Sequence, residues 1–136
     1  MYTGIVQTVA PIKSVIRHDG YTTFYVELPE RLMVDLQLGA SVSVEGVCLS
    51  VTSMDGTIVT FDAMDATLER TNLGMLQAGD RVNIERSAKP TDENGGHNIA
   101  GHIATTAELI AAKMEMPGAF IRFRVPEEWA KYVFKR

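Results

Sequence analysis

The chain of 136 residues has a single cysteine, Cys48, so no disulfide can form within it. Sparse cysteine fits a reducing compartment and leaves stability to an ordinary apolar core. No run approaches the ~20 apolar residues that a membrane helix needs, and "MYTGIVQTVAPIK" lacks the basic and apolar regions of a secretory signal. A cytoplasmic location with no membrane partner is therefore expected. Positive charge is also in deficit, with 13 Lys and Arg against 17 Asp and Glu and no basic stripe. That argues against nucleic acid as a partner. The chain has no nucleophile elbow, phosphate-binding loop or dinucleotide fingerprint. His97 and His102 lie five apart without a cysteine or carboxylate cluster beside them, so no metal is expected.

What remains is rich in short β-type runs. Apolar residues make up 46% of the chain, enough for one real core at this length. "YTGIVQTVAPIKSVI" (2–16) reads as a strand closed by "HDG", and "YTTFYVELP" (21–29) as a second that Pro29 ends. "ERLMVDLQLG" (30–39) has helical spacing at Leu32, Met33 and Leu36, with Gly39 as its stop. Apolar residues fall on Val42 and Val44, then switch to Val47, Leu49 and Val51. Side chains alternate along a strand, so this change of parity demands a bulge or turn near Glu45–Gly46. "MDG" (54–56) reads as a hairpin turn, and "TIVTFDAM" (57–64) turns Val59, Phe61 and Ala63 to one face. "DATLERTNLG" (65–74) predicts a short helix capped by Asp65 and ended by Gly74. "AGDRVNIERSA" (78–88) supplies a last strand through Val82 and Ile84. About six strands with turn signals every 8–12 residues predict a small antiparallel barrel or sandwich. The polar "KPTDENGG" (89–96) reads as a linker.

A repeat follows it. "GIVQTVA" (4–10) returns as "GHIATTA" (101–107), and "FYVELPE" (24–30) as "IRFRVPE" (121–127), at one constant offset of 97 residues. The second copy holds two strands and a helix. The predicted organisation is a first barrel over 1–89, a linker over 90–97 and an incomplete second repeat over 98–136.

Two places carry candidate chemistry. In "VCLSV" the alternation puts Val47, Leu49 and Val51 toward the core, leaving Cys48 and Ser50 on the outer face. Cys48 reads either as a small half-buried hydrophobe or as a group facing a ligand. In "FDAMDAT" a strand runs into a helix start, where the free N–H groups of residues 66–68 either meet a ligand oxygen or belong to an ordinary turn.

"MYTGIVQ", "GVCLSVT", "FDAM" with "TLERTNLG", "GDRVNIERSAK" and "GGHNIAGHI" with "TTAE" occur in order at family-like spacing along the whole chain. Together they resemble the riboflavin synthase alpha family. The resemblance implies an all-β fold, a six-stranded antiparallel Greek-key barrel with short helices, followed by the first part of a second repeat barrel. It implies dismutation of two 6,7-dimethyl-8-ribityllumazine molecules to riboflavin and 5-amino-6-ribitylaminopyrimidinedione, with no cofactor and usually within a trimer. A truncated form would have little activity alone. The alternative is a non-catalytic lumazine- or flavin-binding protein. The family's ligand contacts fall on Gly4, Ile5 and Val6; on Cys48, Leu49 and Ser50; on Asp62, Ala63, Met64, Asp65, Ala66 and Thr67; and on Gly101, His102 and Ile103. His102 is the candidate for proton transfer and Cys48 for catalytic polar contact. Ser50 stands where the family commonly has Thr, and Ala66 where many synthases have Glu.

Overall fold

The computed structural model describes residues 1–116 and 118–134. It forms two compact units, the first Met1–Ile103 and the second from Ala104 onward.

In the first unit the chain runs through β1 (Thr8–Arg17), β2 (Tyr21–Glu27), α1 (Glu30–Met33), β3 (Ser41–Val44), β4 (Val47–Asp55) and β5 (Ile58–Met64). It continues through α2 (Asp65–Arg70), a 3-10 turn (Asn72–Met75) and β6 (Arg81–Arg86). These strands close a six-stranded barrel in the order β1-β2-β5-β4-β3-β6, and every neighbouring pair is antiparallel. β2 lies beside β5, and β6 beside β3, so two Greek keys share the hairpins β3–β4–β5. The parity change is resolved by a two-residue hairpin. Val44 pairs with Val47, and Glu45 and Gly46 have φ of 51° and 84°, the positive pair that the twist of a tight hairpin favours. The next hairpin turns at Gly56–Thr57, since Asp55 pairs with Ile58.

Alternation fills the interior. Phe24 and Val26 from β2, Val42 and Val44 from β3, Val59 and Phe61 from β5, and Val82 and Ile84 from β6 are all buried. Each such side chain contributes about 1.5–3 kcal/mol by leaving water. Leu28, Leu32, Leu36 and Leu73 join the same core from the loops and short helices.

Several boundaries differ from the sequence expectation. The first strand starts at Thr8 rather than residue 2, because Tyr2 pairs elsewhere, with Ile99. The helix after Pro29 has four residues, and Asp35, in the left-handed region at φ 55°, stands between it and Gly39. Asp65 is the first residue of α2 rather than its cap; Met64 takes the cap position without a side-chain hydrogen bond. Gly74 lies inside the 3-10 turn, which Thr71 caps by accepting from Leu73 N.

The second unit contains β7 (Glu108–Glu115), β8 (Gly118–Arg124) and α3 (Glu127–Ala130). β8 and α3 fall 97 residues after β2 and α1, with a proline at each helix cap. The bulge in β1 between Ile12 and Ser14 returns in β7 between Leu109 and Ala111, again 97 residues on.

Candidate functional site

The first unit extends past residue 98 because two irregular segments lie side by side. Tyr2 N donates to Ile99 O at 2.7 Å, Ile99 N to Tyr2 O at 2.9 Å, and His97 N to Thr3 O at 2.9 Å. The buried Glu85 on β6 anchors this layer. Its carboxylate accepts from Thr3 N at 2.6 Å, Thr3 Oγ1 at 2.7 Å and Gly4 N at 3.2 Å.

The segment then reaches β4, where Cys48 N donates to Gly101 O at 2.9 Å. Gly101 has φ +77°, and a Cβ there would lie 2.8 Å from Tyr2 Cε2 and 3.0 Å from Cys48 Cβ. Only glycine fits both the backbone and the space. This close approach makes a cavity of about 200 Å³ walled by Val47 and Cys48 from β4, by Ala66, Thr67 and Arg70 from α2, by Thr71, and by Gly101, His102 and Ile103. Cys48 is half-buried, His102 is exposed, and Ile103 is partly covered. Tyr2 OH donates to Cys48 Sγ at 3.1 Å. Burial raises the Tyr2 phenol well above its usual range. The hydrogen bond to Cys48 and electrostatic repulsion from Cys48 and Glu85 add to the rise, against a smaller opposing effect of a Ser41 hydrogen bond. The phenol is therefore a fixed neutral donor.

Six expected residues thus meet in one place: Cys48, Ala66, Thr67, Gly101, His102 and Ile103. The others do not line it. Leu49 and Ala63 are buried in the barrel core, since strand alternation turns them inward. Ser50 and Met64 are exposed. Asp62 accepts from Thr23 Oγ1 at 2.6 Å across β2 and β5, and Asp65 opens α2 from an exposed position. Gly4 and Val6 line a separate concavity with Glu45 and Glu85, while Ile5 lines another with Arg86. Tyr2 and Glu85 were missed as site supports. Their partners lie 46 and about 80 residues away, beyond any local pattern. Glu85 falls on the odd face of β6, opposite the inward Val82 and Ile84, so alternation gave no signal that it is buried.

The site is thus a small cavity on a closed antiparallel barrel, set between one strand, the helix that follows the next strand, and a returning glycine segment. The lumazine binding domain model matches residues 3–87, and the chain belongs to that family. Riboflavin synthase of Escherichia coli (strain K12) is 45% identical over 98% of this chain and 63% of its own length. Riboflavin synthase of Schizosaccharomyces pombe is 33% identical over 98% of this chain and 64% of its own length. The chain therefore spans a little under two thirds of these curated relatives. The fold also matches that of LumP complexed with riboflavin, at TM-score 0.88 and 23% identity, covering 98% of this chain and 72% of that one. No helix among the described residues is long and apolar enough to cross a membrane.

Proposed function

We propose that this chain is the lumazine-binding N-terminal portion of a riboflavin synthase, and that the cavity at Cys48, Ala66, Thr67 and Gly101–Ile103 takes one 6,7-dimethyl-8-ribityllumazine. The observation that carries this reading is the meeting of those six residues in one cavity. Its volume is below the roughly 300–1,000 Å³ usual for a whole drug-sized ligand. It suits the flat ring, with the ribityl chain reaching outward.

In the reaction one lumazine gives a four-carbon unit to another, yielding riboflavin and 5-amino-6-ribitylaminopyrimidinedione. Atoms balance with no oxidant and no cofactor. The substrate supplies an acidic methyl group and an electrophilic carbon, so the protein's work is positioning and proton handling. His102 moves the methyl proton, and Cys48 makes a polar contact with the ring. A second lumazine needs a second barrel, so the 136-residue form binds but turns over little. The remaining proposals are a homo-oligomer, a trimer as in the family, a cytoplasmic location, and an organisation of 1–89, 90–97 and 98–136.

A lumazine fluorescence titration tests the binding. We expect saturation that His102→Gln and Cys48→Ala weaken. No saturation at high micromolar lumazine overturns the reading. Ala66 at the cavity wall favours a second reading, a non-catalytic lumazine or flavin carrier, because the carboxylate carried there by many synthases is missing. Exchange of the bound lumazine's methyl protons into D₂O separates the two: a synthase-type site accelerates it, and a carrier does not.

A further inference from the structure

We propose that Tyr2 is a positioning residue for this site, and that its hydroxyl aims the Cys48 thiol into the cavity. The proposal rests on the lumazine-binding reading and deepens it.

Tyr2 is tied into the structure in three ways. Its backbone exchanges two hydrogen bonds with Ile99. Its ring packs where a Cβ of Gly101 would have to go. Its hydroxyl donates to Cys48 Sγ. The residue is almost fully buried, whereas Cys48 is only half-buried and reaches the cavity. Tyr2 therefore lies behind Cys48, away from the ligand.

A thiol carries one proton and accepts weakly. A phenol is the stronger donor, so the bond runs from Tyr2 to sulfur. The sulfur's own proton is then directed away from Tyr2, and the open direction is the cavity. The Cys48 N–H is already committed to Gly101 O, so the S–H is the donor this residue has left for a ring carbonyl or nitrogen. Removing the hydroxyl would free the thiol to rotate without emptying the space that the ring fills.

The test uses Tyr2→Phe, which keeps the ring over Gly101. Cys48 is the sole cysteine, so a chromogenic disulfide reagent reports on it alone. We expect the rate of Cys48 modification to change by about three- to ten-fold and lumazine affinity to fall by a similar factor, the scale of one hydrogen bond. The emission maximum of bound lumazine should also shift. In a Cys48→Ala background, Tyr2→Phe should no longer alter lumazine affinity. An unchanged modification rate in Tyr2→Phe overturns the proposal, as does an affinity loss of equal size with and without Cys48. Failure of the unaltered protein to bind lumazine instead removes the binding reading. The modification rate would still decide whether Tyr2 controls the thiol.

Discussion

The same hairpin occurs twice in this molecule, once inside a closed barrel and once in a two-stranded sheet. In the first copy Phe24 and Val26 are 1% and 0% exposed; their equivalents, Ile121 and Phe123, are 54% and 55% exposed. Yet strand, bulge and proline-started helix recur at the same offset. Local sequence thus sets the shape of the hairpin, and the four further strands supply its burial. A two-stranded sheet gains little in water by itself.

The largest expected effect breaks this equivalence directly. Phe24→Ala should cost about 3–5 kcal/mol by opening a core cavity. Ile121→Ala should stay within about 0.5 kcal/mol, as at other exposed sites. Urea unfolding followed by far-UV circular dichroism measures both, and equal losses would mean that the second hairpin is covered in solution.

The next comparison sets Gly101 against Gly4, which share a left-handed backbone at φ +77° and +78°. Gly101→Ala should destabilise by about 1–3 kcal/mol, from the strained backbone and the crowded ring of Tyr2, and should lower lumazine affinity at least ten-fold. Gly4→Ala presses only on the end of the Ile99 side chain. It should destabilise less and leave affinity within about two-fold. Parallel thermal melts and lumazine titrations distinguish the two positions.

His102→Gln sharpens the contrast chemically. His102 stands where the first copy has Ile5, so it is the member of that pair able to carry a proton. The variant should slow methyl-proton exchange of bound lumazine about 10²-fold, the lower end for a general base, as read by proton NMR in D₂O. The smallest effect concerns the ion pairs, one on each hairpin: Lys13–Glu27 at 3.0 Å and Glu108–Arg124 at 2.7 Å. Both are well exposed, so Lys13→Ala or Arg124→Ala should change stability by about 0–1 kcal/mol. Salt should erase the difference.

The barrel was largely legible from periodicity. The parity change around Glu45–Gly46 located one of its two-residue turns, and Val59, Phe61 and Ala63 marked a buried face that the structure retains. Element ends were less legible, because Asp35 and Met64 take positions that local propensity does not dictate. Within the site, the outward turn of Cys48 followed from alternation. The resemblance also carried Leu49 and Ala63 to the ligand, although that alternation turns them inward. The supports were hidden for a different reason. Tyr2 and Glu85 act across the fold, and no sequence window joins them to Cys48 or Thr3.

Tyr2 and Ile99 are equivalent positions of the two copies, and each donates to and accepts from the other. An antiparallel pair of equivalents defines a local dyad running between them. Half a turn about that axis exchanges Tyr2 with Ile99, and the glycines two residues further on, Gly4 and Gly101, share one backbone angle. The duplication is therefore written into the backbone at one point as symmetry. A substitution on the axis, at Tyr2 or Ile99, loosens both glycine segments in a single step.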